Sequence, residues 1–246
     1  MKNIGIIGVG QIGSTLAKKL STLGHCVKIA NSRGADSLMT LAQETNTEAV
    51  ELRAAVVNVD LVIISIPQKS IESLPADLFV GCKESLIVVD TGNYYPLRDG
   101  IIDELKDGKL ESQWVAEHIK RPVLKAFNSI QAASLADKGK PAGQSDRIAL
   151  PVAGDDHDQK MELIQLIDEL GFDGVDGGSL SESWRQQPGS PVYCTDHNKK
   201  DLVRLLQAAD RSSLAALRDK GLQLVMQANE PMKEAREILR RLYEHI

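Results

Sequence analysis

Apolar residues recur along the first two-thirds of this chain in two alternating patterns: short unbroken runs, and runs spaced as on one face of a helix. Lys2–Gly8 is an apolar run ending in glycine, and Ile12–Leu23 then sets Ile12, Leu16, Leu20 and Leu23 on one helical face before Gly24-His25 stops it. Cys26–Ala30 reads as a second strand and Ala35–Glu44 as a helix. Asp60–Ile66 is almost wholly apolar, as a strand covered on both faces must be, and Pro67 ends it. Ser85–Asp90 and Pro122–Ala126 follow as a fourth and a fifth strand. Ile148–Ala153 is expected as a sixth, with Pro151 suggesting an edge or a bulge. Strands separated by helices predict an α/β fold with a doubly wound, mostly parallel sheet.

Met161–Leu170 and Phe172–Asp176 add one more helix–strand unit. The texture then changes. Gly177–Asn198 is rich in Gly, Ser, Pro and Gln and carries Trp184 and Tyr193, and loops of that length are usually functional or disordered. From Asp201 to Ile246 the spacing is helical again, with Leu202, Leu205, Leu206 and Ala209 on one face and Leu214, Leu217 and Leu224 on another. The expected division is a nucleotide-binding domain over 1–178 and a substrate loop with a small helical C-terminal extension over 179–246.

Composition narrows the function classes. The 246 residues are 42% hydrophobic and 26% charged, which is ordinary for a globular protein with its own core. Aromatics at 4% and a net charge of -5 argue against a nucleic-acid surface, which needs exposed rings and positive charge. Cys26, Cys82 and Cys194 form no C-x-x-C pair, and an odd, scattered set predicts a reducing compartment. With no signal peptide and no apolar run of about 18 residues, the expectation is a cytoplasmic protein without membrane contact.

After the first strand comes Gly8-Val9-Gly10-Gln11-Ile12-Gly13, a G-x-G-x-x-G between an apolar strand and an amphipathic helix. In that context Gly8 permits the tight turn, Gly10 lets a pyrophosphate approach the backbone, and Gly13 lets helix and strand pack closely. The helix start then offers N–H groups and a positive dipole end to the diphosphate. This is a Rossmann fingerprint. The tip of the second strand indicates which dinucleotide it takes. NAD sites usually carry a carboxylate about 20 residues on, for the ribose 2′-hydroxyl. Ala30-Asn31-Ser32-Arg33-Gly34 stands there instead, with a hydroxyl and a guanidinium suited to a phosphate dianion, so NADP is expected over NAD. Ser65-Ile66-Pro67, Thr91-Gly92-Asn93 and Asn128-Ser129 follow later strands, whose carboxyl ends face the ligand crevice in such a sheet. These tips are expected around the ribose and nicotinamide, with Asn128 nearest the ring.

Together these residues resemble the family of F420-dependent NADP oxidoreductases, and the N-terminal domains of STEAP-type metalloreductases are similar. The likeness covers residues 1 to about 180. It is carried by the glycine loop, Asn31-Ser32-Arg33, Ser65-Ile66-Pro67, Val123-Leu124-Lys125-Ala126-Phe127-Asn128 and Val152-Ala153-Gly154-Asp155-Asp156. It implies a Rossmann fold, NADP as cofactor, 2′-phosphate recognition by Ser32 and Arg33, and a flavin or deazaflavin as hydride partner. Two departures stand out. Some members carry a histidine at the Asn128 position, and the segment Glu182–Asp196 has no counterpart in the compact deazaflavin enzymes. On the resemblance, this looks like a bacterial branch with its own second substrate.

Hydride transfer between stacked rings asks little of protein side chains beyond positioning. Reduction of a carbonyl would need a proton donor as well. Candidates are His118, Lys125, Tyr94, Tyr95 and Tyr193, of which His118 reads as a helix-surface residue and Lys125 as structural. Trp184 offers a flat face and Arg185 a fork for a substrate wall, or an anchor for a subunit contact in a homodimer. Asn128, Trp184, Arg185 and Tyr193 are thus the candidates at the reacting end. His157 among Asp155, Asp156 and Asp158 reads as an acidic helix start, so no metal is expected. Three readings stay open: an NADPH-dependent reductase of a flavin-like ring, an NADP-dependent dehydrogenase of a small carbonyl or hydroxy compound, and an NADP(H)-sensing binding protein.

Overall fold

A computed structural model describes residues 1–244. The chain divides into two units, Met1–Lys125 and Ala126–Ile246. The sequence-derived boundary at 178/179 falls inside the second unit.

The first unit is built on a six-stranded sheet whose observed pairs are all parallel. Its strands are β1 (Asn3–Ile7), β2 (Cys26–Ala30), β3 (Glu48–Ala49), β4 (Leu61–Ile64), β5 (Ile87–Asp90) and β6 (Leu124–Lys125), in the spatial order β3-β2-β1-β4-β5-β6. The apolar runs become strands because both faces are covered: all four residues of β4 and of β5 are buried. Helix α1 (Gln11–Thr22) buries Leu16 and Leu20 of the expected stripe, with Ala17 beside them, while Ile12 is half-buried and Leu23 is 45% exposed. The expected helix at Ala35–Glu44 is a 3-10 turn, Ala35–Leu38, running into α2 (Met39–Thr45). Two very short helices, α3 (Pro96–Asp99) and α4 (Asp103–Lys106), precede α5 (Glu111–Ile119).

Strand order reverses on either side of β1, which creates the crevice where such sheets bind ligands. Register completes it. Ile7 pairs with both Ala30 and Ile64, Ile64 with Asp90, and Asp90 with Lys125. The next residues, Gly8, Asn31, Ser65 and Thr91, therefore leave the sheet side by side at one edge.

The second unit contains α6 (Ala132–Asp137) and a βαβ turn: β7 (Ala149–Val152), α7 (His157–Glu169) and β8 (Asp173–Asp176). This corrects one expectation. The strand expected at Ile148–Ala153 forms, but it does not extend the large sheet; it pairs in parallel with β8 in a separate two-stranded sheet. Pro151 is tolerated there because a two-stranded sheet has only edges. The sixth strand of the large sheet is the two-residue β3, which no hydrophobic run announces. Arg147, 2% exposed, ties the βαβ turn together: its Nη1 donates to Asp168 at 2.5 Å and to Asp173 at 2.7 Å, its Nε to the Lys140 carbonyl. Helix α8 (Lys199–Ala208) is capped by Asn198 and packs Leu202, Leu205 and Leu206 with Ala149, Val175 and Val192. Helices α9 (Leu214–Met226) and α10 (Pro231–Leu242) complete the described fold, and α9 buries only Gly221. The helical reading of residues 245 and 246 lies outside the described residues. No helix among the described residues is long and apolar enough to cross a membrane.

Candidate functional site

The three glycines between β1 and α1 turn out to do unlike things. A Cβ on Gly8 would lie 2.3 Å from the Ser65 carbonyl oxygen, and φ is +94°. A Cβ on Gly13 would lie 2.0 Å from the Gly8 carbonyl oxygen. Both glycines are there because backbone packs on backbone. Gly10 differs: φ is -68°, and a Cβ would meet nothing within 4 Å. Its bareness serves no packing, so the space beside it is free for a group from outside. Gly10 is also the N-cap of α1, with no side-chain cap and no acidic residue in the first turn. The first N–H groups of the helix thus keep their donors and the positive dipole end for an anion. Bare Gly10 and the uncapped helix start fit a diphosphate. Val9 and Ile12 are half-buried and Gln11 is exposed.

The loop after β2 is held by its backbone and presents its side chains. Asn31 Oδ1 accepts from the Arg33 N–H at 2.7 Å, and its Nδ2 donates to Ser37 Oγ at 3.0 Å. Ser37 Oγ donates to the Gly34 carbonyl at 2.8 Å. Glu51, which the sequence reading did not place here, accepts from the Ala35 N–H at 3.0 Å. Ser32 and Arg33 are exposed, and among the described residues neither side chain has a hydrogen bond or ion pair. A hydroxyl and a guanidinium on a fixed turn can take a phosphate.

Ser65 and Ile66 are half-buried and Pro67 exposed at the β4 tip; Thr91 is buried, its hydroxyl donating to the Ile64 carbonyl at 3.2 Å. Behind these tips lies an ion cluster that sequence reasoning missed. Lys125, fully buried, donates to Asp90 Oδ2 at 3.0 Å and to the Gly92 carbonyl, and its Nζ is 3.8 Å from Glu111 Oε2. Ser112 Oγ donates to Asp90 Oδ2 at 2.7 Å, and Asp90 Oδ1 accepts from the Gly92 N–H at 2.8 Å. Gln68, also fully buried, donates to the Glu111 carbonyl at 3.3 Å. A signal was present: Asp90 and Lys125 are opposite charges at the ends of two consecutive apolar strands. His118 and Tyr94 are engaged too. The His118 ring bonds the Trp114 carbonyl at 2.8 Å and packs on the Trp114 ring, while Tyr94 Oη donates to the Gly100 carbonyl and accepts from the Ile102 N–H.

The remaining candidates lie in the second unit. Asn128 and Gln186 form a buried reciprocal pair: Asn128 Nδ2 donates to the Gln186 carbonyl at 2.7 Å, and Gln186 Nε2 to Asn128 Oδ1 at 2.9 Å. The Asn128 side chain thus joins two loops. Cys194 N–H donates to the Ser129 carbonyl at 2.8 Å, a second stitch between the same loops. Phe127, Cys194 and Asp196 all hold positive φ, a cluster of strained backbone of the kind found at functional sites. Trp184 is 9% exposed under the Arg185 guanidinium, which stands 4.3 Å from the ring centroid. Arg185 also pairs with Glu182 and donates to the Leu206 carbonyl at 3.1 Å, so its fork serves the end of α8. Tyr193 is half-buried beside Cys194, whose thiol burial pushes up to about 12. In the same segment Ser183 Oγ, Gln187 Nε2 and Ser190 Oγ are buried and have no hydrogen-bond partner among the described residues. At about 1–3 kcal/mol for each unmet polar atom, such atoms call for buried water. His157 simply opens α7, with Asp156 as its cap on the Gln159 N–H.

Strand order and glycine turn define a Rossmann-type dinucleotide-binding protein. Residues 3–94 match the family described as NADP oxidoreductase, coenzyme F420-dependent. The chain is 34% identical to the Sinorhizobium meliloti protein SMa0349, whose crystal structure superposes with a TM-score of 0.68 over 81% of this chain and 96% of that one. A structure from Arthrobacter sp. FB24, named as an F420-dependent NADP reductase, shares the fold at 23% identity and a TM-score of 0.61, over 74% of this chain and 87% of that one. The Escherichia coli (strain K12) protein YjhV is 36% identical over 92 residues, 37% of this chain and 60% of that protein's length. The chain belongs to the coenzyme F420-dependent NADP oxidoreductase family.

Proposed function

We propose that this protein is an NADPH-dependent oxidoreductase that moves hydride between the nicotinamide and a flavin, a deazaflavin or a related ring. The observation that carries the cofactor half is the pairing of an open Gly10 at an uncapped helix start with free Ser32 and Arg33 side chains on a fixed turn. Gly8 to Gly13 would hold the diphosphate, Ser32 and Arg33 the 2′-phosphate on the Asn31 turn, and Ser65, Ile66, Pro67 and Thr91 the nicotinamide half. When bound, NADPH supplies the hydride. The chain's own part is to bind, orient and exclude water.

A ring acceptor is favoured over a carbonyl because three of the five proton-donor candidates are already committed. Lys125 sits in its ion cluster, His118 on the Trp114 carbonyl, and Tyr94 between Gly100 and Ile102. Of the Gly177–Asn198 segment, half-buried Tyr193 is the side chain proposed to meet the acceptor. A homodimer belongs to the same reading, since α9 leaves Leu217, Leu224 and Met226 partly or largely uncovered. Sedimentation velocity measures it, and a monomer at micromolar concentration would rule it out.

The test is anaerobic stopped-flow oxidation of NADPH against FMN, a deazaflavin, and a panel of aldehydes and ketones. Turnover on the ring compounds alone is expected. Turnover on the carbonyls would favour the dehydrogenase reading, and tight NADPH binding with no turnover would favour a sensor. Arg33→Ala should weaken NADPH by about 10–100-fold, from about 1.5–3 kcal/mol for a charge-assisted bond. NADH affinity should hardly change. An unchanged NADPH-to-NADH ratio would defeat the assignment of Arg33.

A further inference from the structure

The buried ion cluster behind β5 fixes two consecutive peptide groups. Asp90 Oδ1 accepts from the Gly92 N–H at 2.8 Å, and Lys125 Nζ donates to the Gly92 carbonyl. Across a trans peptide the carbonyl and N–H point in opposite directions. No cis bond occurs among the described residues. With the Gly92 N–H drawn in to Asp90, the Thr91 carbonyl is turned away from the cluster. It lies one residue beyond β5, on the edge where Gly8 and Ser65 also leave the sheet.

Charged groups are a costly way to hold a turn. Asp90, Glu111 and Lys125 are 1%, 7% and 0% exposed, and burying such groups costs several kcal/mol each before pairing repays it. Ser112 further anchors Asp90, and Gln68, next to Pro67 on the β4 tip, is tied to Glu111. The cluster thus joins the tips of β4, β5 and β6 around the two peptide groups that flank Gly92.

We propose that Asp90 and Lys125 are positioning residues that aim the Thr91 carbonyl at a hydrogen-bond donor in the nicotinamide half of the cofactor, a ribose hydroxyl or the carboxamide NH2. This rests on the oxidoreductase reading above. It goes further by giving the nicotinamide half a recognition element built from backbone, independent of the glycine loop and of Arg33.

Two ligands separate the halves: NADPH, and 2′,5′-ADP, which carries the 2′-phosphate but no nicotinamide or second ribose. Asp90→Asn keeps an oxygen near the Gly92 N–H but sets an amide against Lys125. Gly92→Ala disturbs the same turn while leaving every charged residue in place, because its Cβ would come 2.8 Å from Gln68 Oε1 and 2.9 Å from Asp90 Oδ1 and push both side-chain ends aside. Each variant should raise the NADPH Kd about tenfold or more and leave the 2′,5′-ADP Kd within about twofold, by isothermal titration. Loss of both ligands in parallel, or no change in either, would overturn the proposal. Should Asp90→Asn not fold, Gly92→Ala decides alone. Failure of the wild-type protein to bind 2′,5′-ADP would instead strike at the NADP reading itself.

Discussion

Substituting alanine at each of the three glycines in turn should separate the fold from the cofactor. Gly13→Ala puts a methyl 2.0 Å from the Gly8 carbonyl oxygen, so α1 must lift off β1. Overpacking costs about 1–3 kcal/mol, and with main chain on the opposing side the upper end applies. Gly8→Ala meets the Ser65 carbonyl oxygen at 2.3 Å and adds a φ of +94°, about 1–3 kcal/mol more for the strained backbone. Gly10→Ala meets nothing and keeps an ordinary φ. Its entropic gain of about 0.4–1 kcal/mol is offset by the poorer capping of alanine, so stability should move by no more than about 0.5 kcal/mol. The methyl would nevertheless stand where the proposed diphosphate would approach. Losing one charge-assisted bond at about 1.5–3 kcal/mol predicts an NADPH affinity about 10–100-fold weaker. Urea unfolding and NADPH fluorescence titration on the same samples read both quantities. The reasoning is refuted if Gly10→Ala is destabilised like Gly13→Ala, or if it binds NADPH as tightly as the wild-type protein.

Other expectations follow from single features. Lys125→Met strands Asp90 and Glu111 as buried carboxylates and should cost about 3–5 kcal/mol in urea unfolding; a loss under 1 kcal/mol would mean the cluster is wet or already neutral. Exposed Cys26 should react first with a thiol reagent at about pH 8, and Cys194, held at about 12 by burial, should react only on unfolding; early labelling of Cys194 by peptide mapping would contradict its placement. Half-buried His197 has its pKa pushed below 6.5 by burial, with Arg240 adding to the effect. The folded protein then binds fewer protons than the unfolded chain, so this contribution is complete above about pH 6.5 and lost as pH falls through the folded value. His197→Gln should flatten the drop in urea midpoint between about pH 7.5 and pH 5.5, and an unchanged slope would exclude His197 as its source.

Much of the first unit could be read in advance because most of its strands lie in largely apolar runs, bounded in several places by glycine or proline. β3 could not, since two residues of edge strand leave no period to detect. The fate of Ile148–Ala153 was hidden for another reason: local pattern fixes that a strand forms, while its partner depends on where the chain returns, and α7 brings β8 beside it. In the proposed site, Gly10, Ser32 and Arg33 could be nominated from the sequence because each lies in a short local motif. Asp90 with Lys125 and Asn128 with Gln186 could not, because 35 and 58 residues separate the partners. Arg185 illustrates the converse. Its side chain suits an anion well, yet Glu182, Trp184 and the end of α8 already occupy it.

The turn after β2 divides its labour in a way that bears on how cofactor preference changes over time. Its shape is written in Asn31, Gly34, Ser37 and Glu51, through bonds to one another and to the main chain. The selectivity proposed for it rests on Ser32 and Arg33, which contribute no side-chain bond to that scaffold. Such a turn behaves as a socket with exchangeable contacts. If Ser32 and Arg33 hold the 2′-phosphate as proposed, descendants of this chain could drift between phosphorylated and unphosphorylated nucleotides by altering two surface codons, with the frame that presents them left as it is.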